Sequence, residues 1–586
     1  MPKIKKLLNN LSSRVKDLKL RIIKNKPLLG LLSCLFLATL FIFDHLGARA
    51  LWLDEAAVAK TIALPFPQIY SQAIMDGHPL FYIYMMKIWS LIWGNSEIAL
   101  RSLSACMALV LIGFIFKVAK EIFQSPKAGL LASILASTSY FLLWFGTQTR
   151  PYTLAAFLGL ASFYFFWKIT RKSEAPRDYR TARGDSACNT QPARQSALRR
   201  ERCGIFQKTG LPSRLPSMTD WDEGKISAYI FYLLSTLAGI YTHPWLFLIL
   251  ASQILSLFIF RLKKYPLPFK KILGTMCLIL LLIVPNILII THQSQMGVNA
   301  WISKVKIEIL GQSFQYLTFG VFWPYLIFAI IAGFYIFFLR ELQVSCPRLG
   351  EKHLTRDPQL KTIARTSLVL YFLFPLIAAF TVSEFKPAYV AGRYEIIVLP
   401  AFLLLLAYFF AQIRSRFLLT ILTITLVIFA GRKVVTEQDL IRQYQSTDKT
   451  ISLSLFNRLR DQDAIIATDL SGATFDYYFS RENQGKKKFS LFYYPAEMGI
   501  HPGWKNLKDM LKKEDKYTRE AEDLVQQLKT QSVSGRKIWV LYKTDNPLNE
   551  ILRQKLQANF SLVKIEEPTP PRAPSWLDVI LIFEAK

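Results

Sequence analysis

The chain has 586 residues, 52% of them hydrophobic, a formal net charge of +31 and a mean hydropathy of +0.26. A soluble chain of this length would divide into several domains with frequent polar interruptions, and that class is excluded because the apolar residues come in long runs with almost no charge. The basic excess would suggest nucleic-acid binding, but its placement along the chain argues for a membrane protein instead.

The start, "MPKIKKLLNNLSSRVKDLKLRIIKNK", carries nine basic residues and one acid before the first apolar run. No small-residue cleavage site follows "FIFDHLGARALW", so the first run reads as a retained anchor. Eleven spans are predicted, at about 27–43, 98–117, 128–145, 151–168, 226–242, 244–260, 272–290, 321–339, 366–382, 395–411 and 417–430. With the N-terminus cytoplasmic, the inner segments hold 38 Lys or Arg and the outer loops 8. This asymmetry is the positive-inside pattern; it makes the charge topogenic and speaks against a nucleic-acid partner.

The expected organisation is a cytoplasmic basic segment 1–26, a transmembrane module 27–431 and an extracytoplasmic domain 432–586. Within the module, 44–97 is the first outer loop and 169–225 a polar, basic insertion on the inner side that reads as disordered. In the tail, "DAIIATD" and "RKIWVLY" look like buried strands and "SGATFDYYFSREN" like a helix, which gives a small α/β domain. Cys34, Cys106 and Cys277 fall in spans, and Cys188, Cys203 and Cys346 in inner loops, which speaks against disulfides and a Cys-ligated zinc.

The first outer loop opens with "LWLDEAAVAK". Asp54 read alone is a helix N-cap with Glu55 in the first turn. Further on, His78-Pro79 begins an aromatic stretch over 80–93 that reads as a helix along the membrane surface. Other ionisable residues sit at the outer ends of spans: Arg101, with Glu97 before it to orient it; Arg150 and Tyr152; Tyr241 and His243; and Arg393 and Tyr394, after Lys386 in a short loop. Arg101 and Arg150 also suit interface snorkelling, and His243 suits packing. In depth these residues form one layer of carboxylate, histidine, arginine and tyrosine. Such a layer suits a lipid-linked phosphate held by arginines while a carboxylate deprotonates an incoming hydroxyl. Glu55, His78 and His243 could meet a divalent cation, but no spacing demands one, and no cofactor is expected.

Five pieces, "LWLDEAAVA", "HPLFYIYMMKIWSLIWGNSEIALRSLSA", "TRPYTLAAF", "YTHPWLF" and "GRYEIIVLPAFLLLLA", resemble in order the GT-C glycosyltransferases of family 39, the protein O-mannosyltransferase and aminoarabinose-transferase-like group. The resemblance covers roughly 28–412 and implies a GT-C fold: an α-helical polytopic membrane protein of about 11 transmembrane helices, followed by the soluble α/β domain on the outer face. It implies transfer of a sugar from a polyprenyl-phosphate donor to a lipid, glycan or protein acceptor outside the cell membrane. By position, Asp54 matches the general base or acceptor-binding carboxylate, with Glu55 as its motif neighbour. Arg393 matches a donor-phosphate residue beside Tyr394, and Arg150 with Tyr152 a recurring motif. His78 stands where relatives carry a lysine near the donor phosphate, and Leu80 replaces a second proline. Arg101 joins the candidate phosphate-binding set, and Glu97, His243 and Lys386 remain further site candidates. The rival readings are a lipid-linked sugar transporter or flippase, which predicts charges at the bilayer midplane and internal repeats, a ligase using a lipid-diphosphate donor, and a non-catalytic assembly protein with the same fold.

Overall fold

The computed structural model describes residues 26–44, 46–47, 49–170, 218–296, 302, 308–318, 358–443, 447–468, 471–483, 485–499, 510–531, 536–544, 546–567 and 579–585. The basic start, most of the 169–225 insertion, the predicted span 321–339 and Cys188, Cys203 and Cys346 lie outside the described residues.

The first apolar run forms α1 (Lys26–Asp44), and the loop after it carries three short helices, α2 (Leu53–Ala63), α3 (Phe66–Met75) and α4 (Leu80–Trp93). At 14 residues, α4 is about 21 Å long, too short to cross a straight ~30 Å hydrocarbon core. Pro79 caps it rather than occupying its first helical position. Next come α5 (Glu97–Ile122), α6 (Pro126–Ser137), α7 (Tyr140–Gly146) and α8 (Tyr152–Thr170). Beyond the insertion, α9 (Met218–Thr242), α10 (Leu246–Leu262), α11 (Phe269–Leu282), α12 (Val284–Gln295) and α13 (Glu308–Leu317) follow. The bundle is completed by α14 (Pro358–Phe385), a 3-10 turn at Tyr394–Ile397, α15 (Leu399–Ala411) and α16 (Arg416–Gln443).

Ten of the eleven predicted spans coincide with these helices, two of them broken. The predicted span 128–145 bends by 62° between α6 and α7. There the Thr138 hydroxyl donates to the Ile134 carbonyl, and Ser139 caps a fresh helix by accepting from the Leu142 N–H. The predicted span 272–290 bends by 42° at Ile283, where Pro285 in the first turn of α12 supplies no N–H to continue the ladder. Among the described residues, five helices are long and apolar enough to cross a membrane, or seven if each bent pair is one span.

The bundle packs closely where side chains are small. A Cβ on Gly239 would collide with the Leu246 side chain, so the glycine lets α9 turn tightly into α10. Deep between α8, α9 and α10, Ser162, Thr236, Gln253 and Tyr232 hydrogen-bond in one buried chain at 2.8–2.9 Å. Satisfying those polar groups internally is what an apolar surrounding requires.

The tail begins with α17 (Thr447–Arg458) and forms an α/β unit from β1 (Ala464–Thr468), α18 (Ser471–Asn483), β2 (Ser490–Tyr494), α19 (Glu514–Thr530), β3 (Lys537–Tyr542), α20 (Pro547–Asn559), β4 (Phe560–Glu566) and β5 (Val579–Ala585). The sheet order is β2-β1-β3-β5-β4; β1 pairs parallel with β2 and β3, and β5 pairs antiparallel with β3 and β4. Both faces of the central strands β1 and β3 are buried. Ile466, Val540 and Phe583 pack under α19 and α20, while Ile465, Trp539 and Ile582 pack with Phe475 and Phe479 of α18. That explains why β1 and β3 read as unbroken apolar runs. The two predicted strands and the predicted helix all fall on observed elements.

Candidate active site

The segment "ALWLDEAA" enters α2 in extended conformation and Trp52 takes the N-cap position, with φ −85° and ψ 172°. Asp54 is therefore inside the first turn and is not the cap, which corrects the capping reading. Its neighbour does part of the capping instead, since the Glu55 carboxylate accepts from the Trp52 N–H at 3.4 Å. Successive helical residues point about 100° apart, so the two carboxylates enter different surroundings.

Glu55 points inward and is fully buried. Arg101, one turn into α5, meets it with two parallel hydrogen bonds, Nε to Oε1 at 2.9 Å and Nη2 to Oε2 at 2.7 Å. The remaining Arg101 N–H groups donate to the carbonyls of Leu46, Arg49 and Ala50 at 2.7–2.8 Å. All five donors of this guanidinium are thus used. The expectation that Arg101 contacts a donor phosphate does not fit this geometry; it is a buried clamp on the first loop. Burial would raise the Glu55 carboxyl, but Arg101 and Arg49 outweigh it and hold it down at about 2. Arg49 lies 3.5 Å from Glu55, and burial lowers its guanidinium to about 10.

Glu55 also fixes the next piece. Its Oε1 accepts from the Thr149 N–H at 2.8 Å, which pins the turn between α7 and α8. That turn presents Arg150, whose carbonyl accepts from Ser104 Oγ at 3.0 Å. Arg150 Nη1 reaches Asp54 Oδ2 at 3.0 Å, and its Nη2 lies 3.3 Å from the Tyr152 hydroxyl. Burial alone would lower the Arg150 guanidinium, but the Asp54 charge raises it above its ordinary value.

Arg393 approaches the same carboxylate oxygen, at 3.8 Å. The turn that presents it depends on two residues. Gly392 adopts φ +76°, and a Cβ there would lie 2.7 Å from the Tyr316 ring, so both conformation and space call for glycine. The buried Glu395 carboxylate accepts from the Gly392 N–H at 2.9 Å and from the Tyr389 hydroxyl at 2.7 Å. Sequence reasoning passes over Gly392 and Glu395, although an acid three residues after a glycine in "AGRYE" is a signal of a locally bonded turn.

Aromatic rings wall the site. The His243 ring lies 5.8 Å from Tyr152 and 5.2 Å from Tyr394, and Tyr394 packs 5.1 Å from Trp245. His243 Nδ1 accepts from the Trp245 N–H at 3.3 Å, and burial lowers its imidazole to about 3, so it stays neutral. His78 is half-buried, and its buried Nε2 has no hydrogen-bond partner among the described residues. Burial lowers the His78 imidazole; the charges of Asp76 and Asp54 oppose that shift, and Arg150 adds to it.

The structure therefore joins Asp54, Arg150, Tyr152, Arg393, Tyr394 and His243, with His78 close enough to feel Asp54 and Arg150. Besides Arg101 and its partner Glu55, two more candidates go elsewhere. Glu97 does not hydrogen-bond Arg101; its carboxylate pairs with Lys449 at 2.6 Å and Arg481 at 2.5 Å, both from the tail. Lys386 is exposed and donates to Ser294. Among the described residues, no three His, Cys, Asp or Glu side chains cluster as metal ligands do. Asp54 is 32% exposed, Arg393 28% and Arg150 15%, so the trio is open to a ligand while Glu55 is not.

Residues 77–182 match the family described as dolichyl-phosphate-mannose-protein mannosyltransferase. No curated protein matches the chain significantly. Among solved structures, ArnT from Cupriavidus metallidurans in the apo state superposes with a TM-score of 0.53 at 11% identity, over 94% of this chain and 97% of that one. ArnT bound to undecaprenyl phosphate gives 0.52 with the same identity and coverage. AglB from Archaeoglobus fulgidus, in complex with an inhibitory peptide and a dolichol-phosphate, gives 0.43 at 11% identity, over 89% of this chain and 70% of that one. The ArnT likeness shows the fold: a helical membrane module with a small sheet-containing unit in its C-terminal region. The family match covers residues 77–182, and the likeness to ArnT over nearly the whole chain is one of fold.

Proposed function

We propose that the protein transfers a sugar from a polyprenyl-phosphate donor to an acceptor hydroxyl, with Asp54 as the general base. The observation that carries this reading is the convergence of Asp54, Arg150 and Arg393, from three distant segments, at one half-open site of an ArnT-like fold. ArnT has been solved with undecaprenyl phosphate, the chemical class of donor this reading requires.

The geometry supports a division of labour. Arg150 and Arg393 both reach one oxygen of Asp54. A donor phosphate would compete for the same guanidinium N–H groups, which match its oxygens well. Arginines turned to the phosphate release Asp54 to take the proton of the acceptor hydroxyl as its oxygen attacks the anomeric carbon. The bond from that carbon to the phosphate oxygen breaks in the same inverting displacement. Negative charge grows on the leaving phosphate, and the two fixed arginines stabilise it there. The neutral His78 supplies a hydrogen-bonding group beside the phosphate, and the rings of Tyr152, His243 and Tyr394 wall the sugar.

Positive-inside charge bias supports the N-terminus as cytoplasmic, with the site and the tail unit 432–586 outside the cell membrane. Lipid, glycan and protein hydroxyls all fit as acceptor. The test is sugar transfer by the purified protein from a panel of undecaprenyl-phosphate hexoses and pentoses, run beside Asp54→Asn. Turnover that depends on Asp54 is expected; near-normal turnover by the variant would sink the proposed base.

A further inference from the structure

The helix that carries Asp54 is held by the tail as well as by its own loop. Before α2, the buried Leu51 N–H donates to the Tyr478 hydroxyl of α18 at 3.0 Å. At the last turn of α2, Lys60 lies 3.5 Å from Asp476 and 3.3 Å from the Tyr493 hydroxyl, which itself donates to Asp476 at 3.0 Å. A third hold acts through α5. Arg481 and Lys449 grip Glu97 in its first turn, and Arg101, one turn further along the same helix, clamps Glu55. The Tyr477 hydroxyl donates to the Asn95 carbonyl just before that turn, at 2.7 Å. Within the tail, a Cβ on Gly472 would lie 2.5 Å from the Tyr493 ring, so the glycine lets α18 pack closely against the residue that meets Lys60.

These contacts grip α2 at both ends, and between the grips lie the buried Glu55 and the half-open Asp54. None of them touches the open face where Asp54 meets Arg150 and Arg393. A helix of 11 residues is marginal on its own in water, so its exact setting depends on what holds its ends.

We propose that α18 is a positioning element for the reaction centre: Tyr478, Asp476 and Arg481 set the position of α2, and through it the reach of Asp54. The tail unit is therefore part of the catalytic architecture, acting through α2 rather than on the substrate. The inference rests on the reading of Asp54 as the base.

The test uses the full chain and the donor from the undecaprenyl-phosphate sugar panel that the wild type turns over. Because small displacements of a reacting group are costly, Tyr478→Phe and Arg481→Met are expected to lower kcat about tenfold or more while the donor KM stays within about twofold. Arg481→Lys, which keeps the charge on Glu97, is expected to recover most of the loss. Hydrogen exchange supplies the second measurement: amides of 51–60 are expected to exchange faster in Tyr478→Phe, while those of α4 do not change. Wild-type kcat in both folded variants overturns the inference, as does a joint fall of kcat and rise of KM with no rescue by lysine. If the wild type turns over none of the donors, the functional reading fails, and unchanged exchange over 51–60 then overturns the positioning role separately.

Discussion

Asp54 and Glu55 are adjacent in the chain and share a charge, yet the fold gives them opposite surroundings. Glu55 is fully buried, bonded by both arms of Arg101 and by a backbone amide, and that guanidinium has no donor to spare. Asp54 is 32% exposed and shares one oxygen between Arg150 at 3.0 Å and Arg393 at 3.8 Å. The first pair is closed and saturated; the second is open and loosely paired. A buried carboxylate with every lone pair engaged holds structure, because removing either partner strands a charge in an apolar interior. A half-open carboxylate between two arginines can exchange partners when a ligand arrives. The same acid–arginine chemistry thus serves architecture in one case and suits reaction in the other, and burial decides which.

The sharpest way to break this contrast is to neutralise each carboxylate in turn. Asp54→Asn is expected to lower sugar transfer by roughly 10²- to 10⁴-fold, the range for loss of a general base, with the melting midpoint unchanged. Glu55→Gln is expected to do the reverse in kind, costing roughly 3–5 kcal/mol of stability by leaving Arg101 buried without its counter-charge. Denaturation in detergent reads the second, and turnover per folded molecule the first. If Glu55→Gln melts like the wild type, the Glu55–Arg101 pair is not a structural clamp.

The two arginines of the open site can then be compared with the one in the closed site. Arg393→Lys keeps the charge but loses the planar fork, so its affinity for undecaprenyl phosphate is expected to fall about tenfold, worth ~1.4 kcal/mol. Titration of the full-length protein with that lipid checks it. Arg101→Lys is expected to leave the affinity of the folded fraction unchanged, since Arg101 has no donor facing the ligand.

Much of the fold was legible in the sequence because a membrane imposes a length and polarity rule on every span. Ten predicted spans fall on helices, and "SGATFDYYFSREN" coincides with α18 residue for residue. What the pattern hides is where helices stop and restart. The break at Thr138 and Ser139 arises from hydroxyls that compete for the backbone, and an apolar run conceals them. For the site, depth along the bilayer brings Asp54, Arg150, Tyr152, His243, Arg393 and Tyr394 onto one level, and the structure joins them. Depth carries no information about direction, so it assigns Arg101, at the same level, to phosphate although that side chain faces the interior. Proximity in the chain pairs Glu97 with Arg101 four residues away, whereas its partners Lys449 and Arg481 lie more than 350 positions along the chain. A local pairing rule has no access to such a contact.

The smallest expected effect sharpens the same comparison through pH. The folded-state Glu55 carboxyl lies at about 2, below its ordinary 4.5, because Arg101 and Arg49 outweigh the burial that would raise it. A carboxyl depressed in the folded state binds fewer protons than in the unfolded chain, so its contribution to stability is full above its unfolded value. As the pH falls from 4.5 towards 2 the unfolded chain takes up the proton first, and the contribution drains away. The melting advantage of the wild type over Glu55→Gln is therefore expected to be constant from neutral pH down to about 5 and to shrink below that. Thermal melts of both proteins in the same detergent, stepped from about pH 7 to about pH 3, measure the difference directly. An advantage that persists undiminished at the acid end would mean that the Glu55 charge is not what ties α2 to α5, and that packing around Arg101 holds the first loop instead.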